Sequence, residues 1–144
     1  PSHLYNASGD YTVTLIATSA EGCLDTLVRE SLVSILAGEG EAVFPNAFVW
    51  NGTGPTGGAW TPGSTDITVF HPKVSGATEL RMAIFTRLGH KIFESNEVYV
   101  GWDGYVVTGD LAAPGVYIYK AWITYYGGKQ EVITGDVTFL YPQN

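Results

Sequence analysis

A single cysteine, Cys23, leaves this sequence without an internal disulfide. Two readings of it stay open: it pairs with a residue upstream of Pro1 in a longer parent, or it is a small buried hydrophobe. Its acidic neighbours Glu21 and Asp25 carry the wrong charge to favour a thiolate nucleophile. Basic residues are also scarce, 7 against 14 acids for a net charge of −7. They are scattered as Arg29, Lys73, Arg81, Arg87, Lys91, Lys120 and Lys129, so no cationic stripe forms to track phosphates, which excludes nucleic acid and disfavours anionic headgroups. No apolar run approaches the roughly 20 residues of a membrane-spanning helix, so no direct membrane span is expected. Nor does a charged segment followed by an apolar one stand near Pro1. The chain starts in mid-pattern at Pro1-Ser2-His3 and reads as the tail of something longer, with any export signal upstream.

The residues of catalysis are thin as well. His3, His71 and His90 fall in different segments without a second histidine at ligand spacing, so they read as exposed or hydrogen-bonded loop residues. Glu94, Glu97, Asp103 and Asp110 sit mostly in turns, where an acid commonly accepts local hydrogen bonds. No nucleophile elbow and no phosphate-binding loop occurs. The chain is therefore expected to be no enzyme and to carry no metal and no cofactor.

What is present is β-pattern almost throughout. In Tyr11–Thr18, Tyr11, Val13, Leu15 and Ala17 alternate with Thr12, Thr14 and Thr18, the period of a half-buried strand. A turn at Ser19-Ala20-Glu21-Gly22 leads to a second β-branched run from Thr26 to Ile35. Ala37-Gly38-Glu39-Gly40-Glu41 has the composition of a linker. Val43 to Val49 reads as one strand interrupted by Pro45, fit for an edge because proline donates no ladder hydrogen bond. Asn51 to Ser64 is a loop rich in glycine and proline that Trp60 would pin by burying its ring.

Further strands are predicted at Asp66 to Phe70, Glu79 to Thr86, Lys91 to Glu94, Val116 to Tyr125 and Gln130 to Leu140. Leu80, Met82 and Ile84 share one face, opposite Arg81, Ala83 and Phe85. Gly89 supplies a tight turn after Arg87, and Tyr126-Gly127-Gly128-Lys129 joins the last two long strands. Tyr117, Tyr119, Ala121, Ile123 and Tyr125 share a face read as core, with an exposed aromatic patch as the alternative. Turns every ten or so residues without a helical period indicate an all-β, Ig-like antiparallel β-sandwich.

Several short motifs punctuate the second part: Phe44-Pro45-Asn46-Ala47-Phe48, Ile84-Phe85-Thr86-Arg87-Leu88-Gly89, Ile92-Phe93-Glu94-Ser95, Gly101-Trp102-Asp103-Gly104, Pro114-Gly115-Val116-Tyr117-Ile118-Tyr119 and Gly135-Asp136-Val137-Thr138-Phe139-Leu140. From Val43 to Tyr141 this string resembles the gliding-motility-associated C-terminal domain, the type B sorting domain of the bacterial type IX secretion system. Gly9-Asp10-Tyr11-Thr12-Val13-Thr14-Leu15, followed by Ala20-Glu21-Gly22-Cys23-Leu24-Asp25-Thr26, is similar to the end of a PKD domain, an Ig-like module of which only the last two strands are present. The organisation expected from the two resemblances is residues 1–36 as PKD strands, 37–42 as linker and 43–144 as sorting domain. An isolated hairpin is marginal in water, so residues 1–36 are expected to be poorly ordered or held by a partner or by the following domain.

The resemblance implies a C-terminal secretion signal and cell-surface attachment domain of a large exported protein or adhesin of Bacteroidota. Its partners would be type IX translocon components and a PorP/SprF-like outer-membrane β-barrel, with the protein secreted and held at the outer membrane. The implied recognition residues are Arg87, Gly89, Trp102, Asp103, Gly104, Gly115, Tyr117, Tyr119, Gly135, Val137, Phe139 and Leu140. Read from the residues alone, Trp102, Asp103 and Gly104 are instead a buried turn. Two departures stand out: the family's Asn-Arg-Trp-Gly turn is Thr86-Arg87-Leu88-Gly89 here, and its acidic loop is replaced by the acid-free Val49-Trp50-Asn51-Gly52-Thr53-Gly54. A glycan-binding module relying on Trp50, Trp60, Trp102 and Trp122, or a structural stalk, are the alternative functions. Asp25-Thr26-Leu27 matches the O-glycosylation pattern of this bacterial group and would place a glycan on Thr26, the alternative being an unmodified strand-edge threonine.

Overall fold

The computed structural model describes residues 3, 5, 9–35 and 40–143. The chain falls into two compact units, Pro1–Gly38 and Glu39–Asn144. Residues 37–39 of the expected linker lie outside the described residues, and its end is corrected: Glu41 and Ala42 belong to a strand.

The first unit is an antiparallel ribbon of β1 (Gly9–Thr18) and β2 (Leu24–Ile35). Its turn is closed by Ser19 N–H donating to the Cys23 carbonyl at 2.9 Å and by Gly22 N–H donating to the Ser19 carbonyl at 3.0 Å. The register slips between Tyr11 and Val13, where Glu30, Ser31 and Leu32 of β2 are accommodated opposite Thr12 and Ser31 takes a φ of 50°. Such a bulge bends the strand that carries it. Cys23 is exposed, which overturns the buried reading: it sits at the turn of a two-stranded ribbon.

The second unit contains β3 (Glu41–Val43), β4 (Ala47–Val49), β5 (Lys73–Ser75), β6 (Ala77–Phe85), β7 (Lys91–Ser95), β8 (Gly115–Tyr125) and β9 (Gln130–Leu140). β3 and β5 form a two-stranded sheet, while the main sheet has five strands in the order β4-β9-β8-β6-β7. The protein is all-β, with this sheet forming one layer of a sandwich. The wholly antiparallel expectation is corrected at one edge, where β4 pairs parallel with β9. Parallel neighbours need a long crossover, and here nearly the whole unit lies between the two strands.

Pro45 accounts for a second difference. The predicted single strand Val43–Val49 is two short ones in different sheets, because proline interrupts the ladder and the chain changes layer there. Asp66–Phe70 is not a strand: the Asp66 carboxylate accepts from the Thr68 N–H and hydroxyl, both at 2.8 Å, and bends the chain locally. Phe70 pairs in an isolated bridge with Trp102, and the Ile67 carbonyl accepts from Val49 N–H at 2.9 Å.

Burial follows the alternation of the long strands. On β6, Leu80, Met82 and Ile84 are buried, and on β8 so are Tyr119, Ala121, Ile123 and Tyr125. Together with Val137 and Phe139 of β9 they make the inner face. Phe44, Phe70, Val74, Val98 and Trp102 pack on it from the second layer. Phe44 stacks on Tyr119 with ring centroids 4.5 Å apart, and Phe48 on Phe139 at 4.7 Å. The Tyr125 hydroxyl donates to Glu131 at 2.8 Å; burial first, then this bond, pushes its pKa up to about 12. The opposite face of the sheet keeps Val116, Ile118 and Val132 exposed. There Trp122 lies under the Arg81 guanidinium and near the Lys120 ammonium, and Glu94 accepts from Lys91 and Arg81. Those two partners, Lys91 foremost, hold the Glu94 carboxyl below its ordinary range.

Candidate partner-recognition surface

Most of the residues implicated in recognition are interior. Trp102 is fully buried, its indole N–H donating to the Tyr105 carbonyl at 3.0 Å and its ring against Phe48, Tyr117 and Phe139. Asp103 is also buried, and its two carboxylate oxygens tie together distant loops. Oδ2 accepts from Thr56 N–H at 2.8 Å and Gly57 N–H at 3.0 Å, and Oδ1 from Tyr105 N–H at 3.2 Å. Gly104 has φ +94°, and a Cβ there would lie 2.5 Å from the Phe139 ring. Tyr119, Val137 and Phe139 are core, and Gly135 leaves room for the Tyr119 hydroxyl, which a Cβ would approach to 2.5 Å. Trp102, Asp103, Gly104, Tyr119, Val137 and Phe139 are therefore interior in the folded unit. Their shared work is to fix the last two strands against the second layer.

The remaining positions are accessible. Arg87 and Gly89 stand in the β6–β7 turn, which is closed by Thr86 N–H donating to the His90 carbonyl at 2.8 Å, and Gly89 has φ +88°. Leu140 is exposed at the end of β9, and Gly115 and Tyr117 are half-buried at the start of β8. Thr26 is exposed on β2 opposite Ile16. The expected residues thus separate into an internal frame and a few surface points at separate parts of the unit.

Of the four tryptophans of the glycan reading, Trp60 is buried and stacked on His71 with centroids 4.2 Å apart and Trp102 is fully buried, while Trp50 and Trp122 are half-buried. The Trp60 ring is buried within the Asn51–Ser64 loop that it was expected to pin. His71 is buried with Nδ1 2.7 Å from the Pro72 carbonyl and Nε2 2.7 Å from the Val98 carbonyl. Burial pushes its pKa below 6.5, and the two carbonyl acceptors pull the other way without reversing this. Beside Trp60 a cleft of about 330 Å³ is lined by Val43, Phe44, Pro45, Phe48, Asp66, Ile67 and Lys73 among others. Its acid, Asp66, is already engaged by Thr68. Among the described residues no three His, Cys, Asp or Glu side chains come together as a metal site, and no helix is long and apolar enough to cross a membrane.

The long β-rich run from Glu131 to Tyr141 already suggested an exposed edge, and the topology shows which part of it is free. β9 pairs with β8 from Gln130 to Phe139, but on its other side, among the described residues, it meets only β4, at Thr138, Phe139 and Leu140. The rest of that side has no partner strand among the described residues. The signal for it was Pro45, whose position marks where the neighbouring strand has to stop. Comparison with known proteins found no matching family model, no similar curated protein and no similar solved structure.

Proposed function

We propose that the Glu39–Asn144 unit is an address and anchor: the type B sorting domain of a larger exported protein, read by a type IX translocon and held at the outer membrane by a PorP/SprF-like barrel. The observation that supports this reading is that all the motif segments between Phe44 and Leu140 belong to one unit, in which the buried members brace β8 and β9 while Arg87, Gly89 and Leu140 remain at the surface. A domain of this design serves to be recognised: its motif residues are spent on rigidity, and none of them converges on a reaction centre. Rigidity matters for recognition because a preformed surface loses less conformational entropy on binding.

The test is made with the whole chain fused behind a secreted reporter in a bacterium that carries a type IX system. The reporter is expected on the cell surface, and deletion of Val132–Asn144 is expected to leave it inside the outer membrane. Unchanged export and attachment of the deletion would refute the reading.

A further inference from the structure

The open side of β9 has a definite chemistry. Thr138 N–H donates to the Asn46 carbonyl at 2.9 Å, and the Leu140 carbonyl accepts from Trp50 N–H at 2.8 Å, so the backbone groups of these even-numbered residues point toward β4. The β8–β9 register runs without a slip from Thr124↔Gln130 to Gly115↔Phe139. In a regular strand, backbone groups alternate between the two neighbours. The N–H and C=O of Val132, Thr134 and Asp136 therefore point to the same side as those of Thr138, where among the described residues no strand follows β4. The chain leaves this line at Asn46 because Pro45 and Phe44 carry it into the second layer, where Phe44 stacks on Tyr119.

From these observations we infer that the Gln130–Asp136 edge of β9 is a strand-addition site, which takes an extended segment of the outer-membrane barrel partner in line with β4. The inference rests on the sorting-domain reading for the identity of that partner, and on geometry alone for the slot. Unpaired ladder groups on a long regular strand are a template for another strand, and natural edges are commonly blunted by charge, proline or a bulge. This one has no proline and no bulge, and its only acid aimed outward is Asp136.

The sheet's outer face also specifies the visitor. Arg81, Trp122 and Val132 form one cross-strand row, and Phe85, Ile118 and Asp136 another. Each row ends at the open edge. An added strand extends both, and complementarity calls for an apolar side chain beside Val132 and a basic one beside Asp136. A second copy of this chain fits poorly: antiparallel pairing of two β9 edges about Thr134 sets Asp136 against Val132, between chains that each carry a net charge of −7.

Thr134→Pro in the full-length reporter fusion separates the slot from the fold. It removes an N–H that points away from β8, so the β8–β9 ladder keeps its bonds. Folding is checked by circular dichroism and thermal melting; surface attachment is expected to drop at least about tenfold with the melting curve retained. A folded Thr134→Pro variant attached as well as the unsubstituted chain, while the Val132–Asn144 deletion is lost, would overturn the slot and leave the sorting reading standing. If the deletion too stays attached, both fall. Should the proline variant fail to fold, hydrogen exchange on the unsubstituted chain decides: with outer-membrane vesicles of the type IX bacterium added, segment 130–137 gains protection at its outward amides, and no gain overturns the proposal.

Discussion

The two units of this chain use similar strand sequences to opposite effect. In the ribbon of β1 and β2, Leu15 and Ile16 point to opposite faces and are each 61% exposed. In the main sheet of the second unit, Met82, Ile84, Val137 and Phe139 are fully buried. The difference lies in the number of layers: a two-stranded ribbon has no inside, whereas five strands covered by Phe44, Phe70 and Trp102 enclose one. Alternation of apolar and polar residues is thus a necessary condition for a core and by itself creates none. The aromatic residues that supply the second layer decide the matter, and they are concentrated after residue 43.

The comparison breaks most visibly where that layer is anchored. Trp102→Ala removes the largest fully buried side chain, and the expected loss is about 3–5 kcal/mol of stability of the second unit in urea titration. A loss under about 1 kcal/mol would mean that the second layer is dispensable. Next comes Asp103→Ala, which leaves the N–H groups of Thr56, Gly57 and Tyr105 without their acceptor. Unmet buried donors put the expected cost at about 2–3 kcal/mol by the same titration. Asp103→Asn keeps one acceptor oxygen and is expected to cost less than Asp103→Ala.

How far the sequence disclosed this arrangement depends on the range of the forces involved. β8 and β9 were read with boundaries within a residue of those observed, since alternation and the Gly127-Gly128 turn are local signals. The burial of Tyr119 and Tyr125 followed from the same period. The parallel β4–β9 pairing was not readable, because a three-residue strand carries too little pattern to declare its partner. Lys73–Ser75 escaped notice for the same reason: it is held by pairing with β3 and by Val74 packing on the main sheet. The strand expected at Asp66–Phe70 failed because a local side-chain bond to the Thr68 backbone outcompeted the ladder. As for the surface, residue types named the turn at Arg87, but the open edge of β9 arises from what another segment does at Pro45.

A smaller effect is expected from pH, and it belongs to the second unit through His71. Burial lowers the folded-state pKa of this ring below 6.5, so as pH falls through 6.5 the unfolded chain binds a proton that the folded chain resists. Stability from this group is fully present above about pH 6.5 and declines below it. Melting temperatures measured between pH 7.5 and 5.5 are expected to fall for the parent and to fall less for His71→Gln. Identical slopes would show that the two carbonyls beside the ring cancel its burial, and a steeper fall for His71→Gln would show that they outweigh it.

The smallest change is expected in the ribbon. Leu27 sits opposite Leu15 on β2 and is 50% exposed, so Leu27→Ser removes little buried surface. Exposed substitutions away from caps and cores usually stay within about 0.5 kcal/mol. The informative comparison is the same substitution in a longer parent chain built with a module ahead of residue 1. If a neighbouring module covers this face there, the loss grows toward the 2–5 kcal/mol of a buried leucine truncation. An equally small loss in the parent would mean that the ribbon stays two-stranded and uncovered, and the contrast between the units would then be a property of the whole protein.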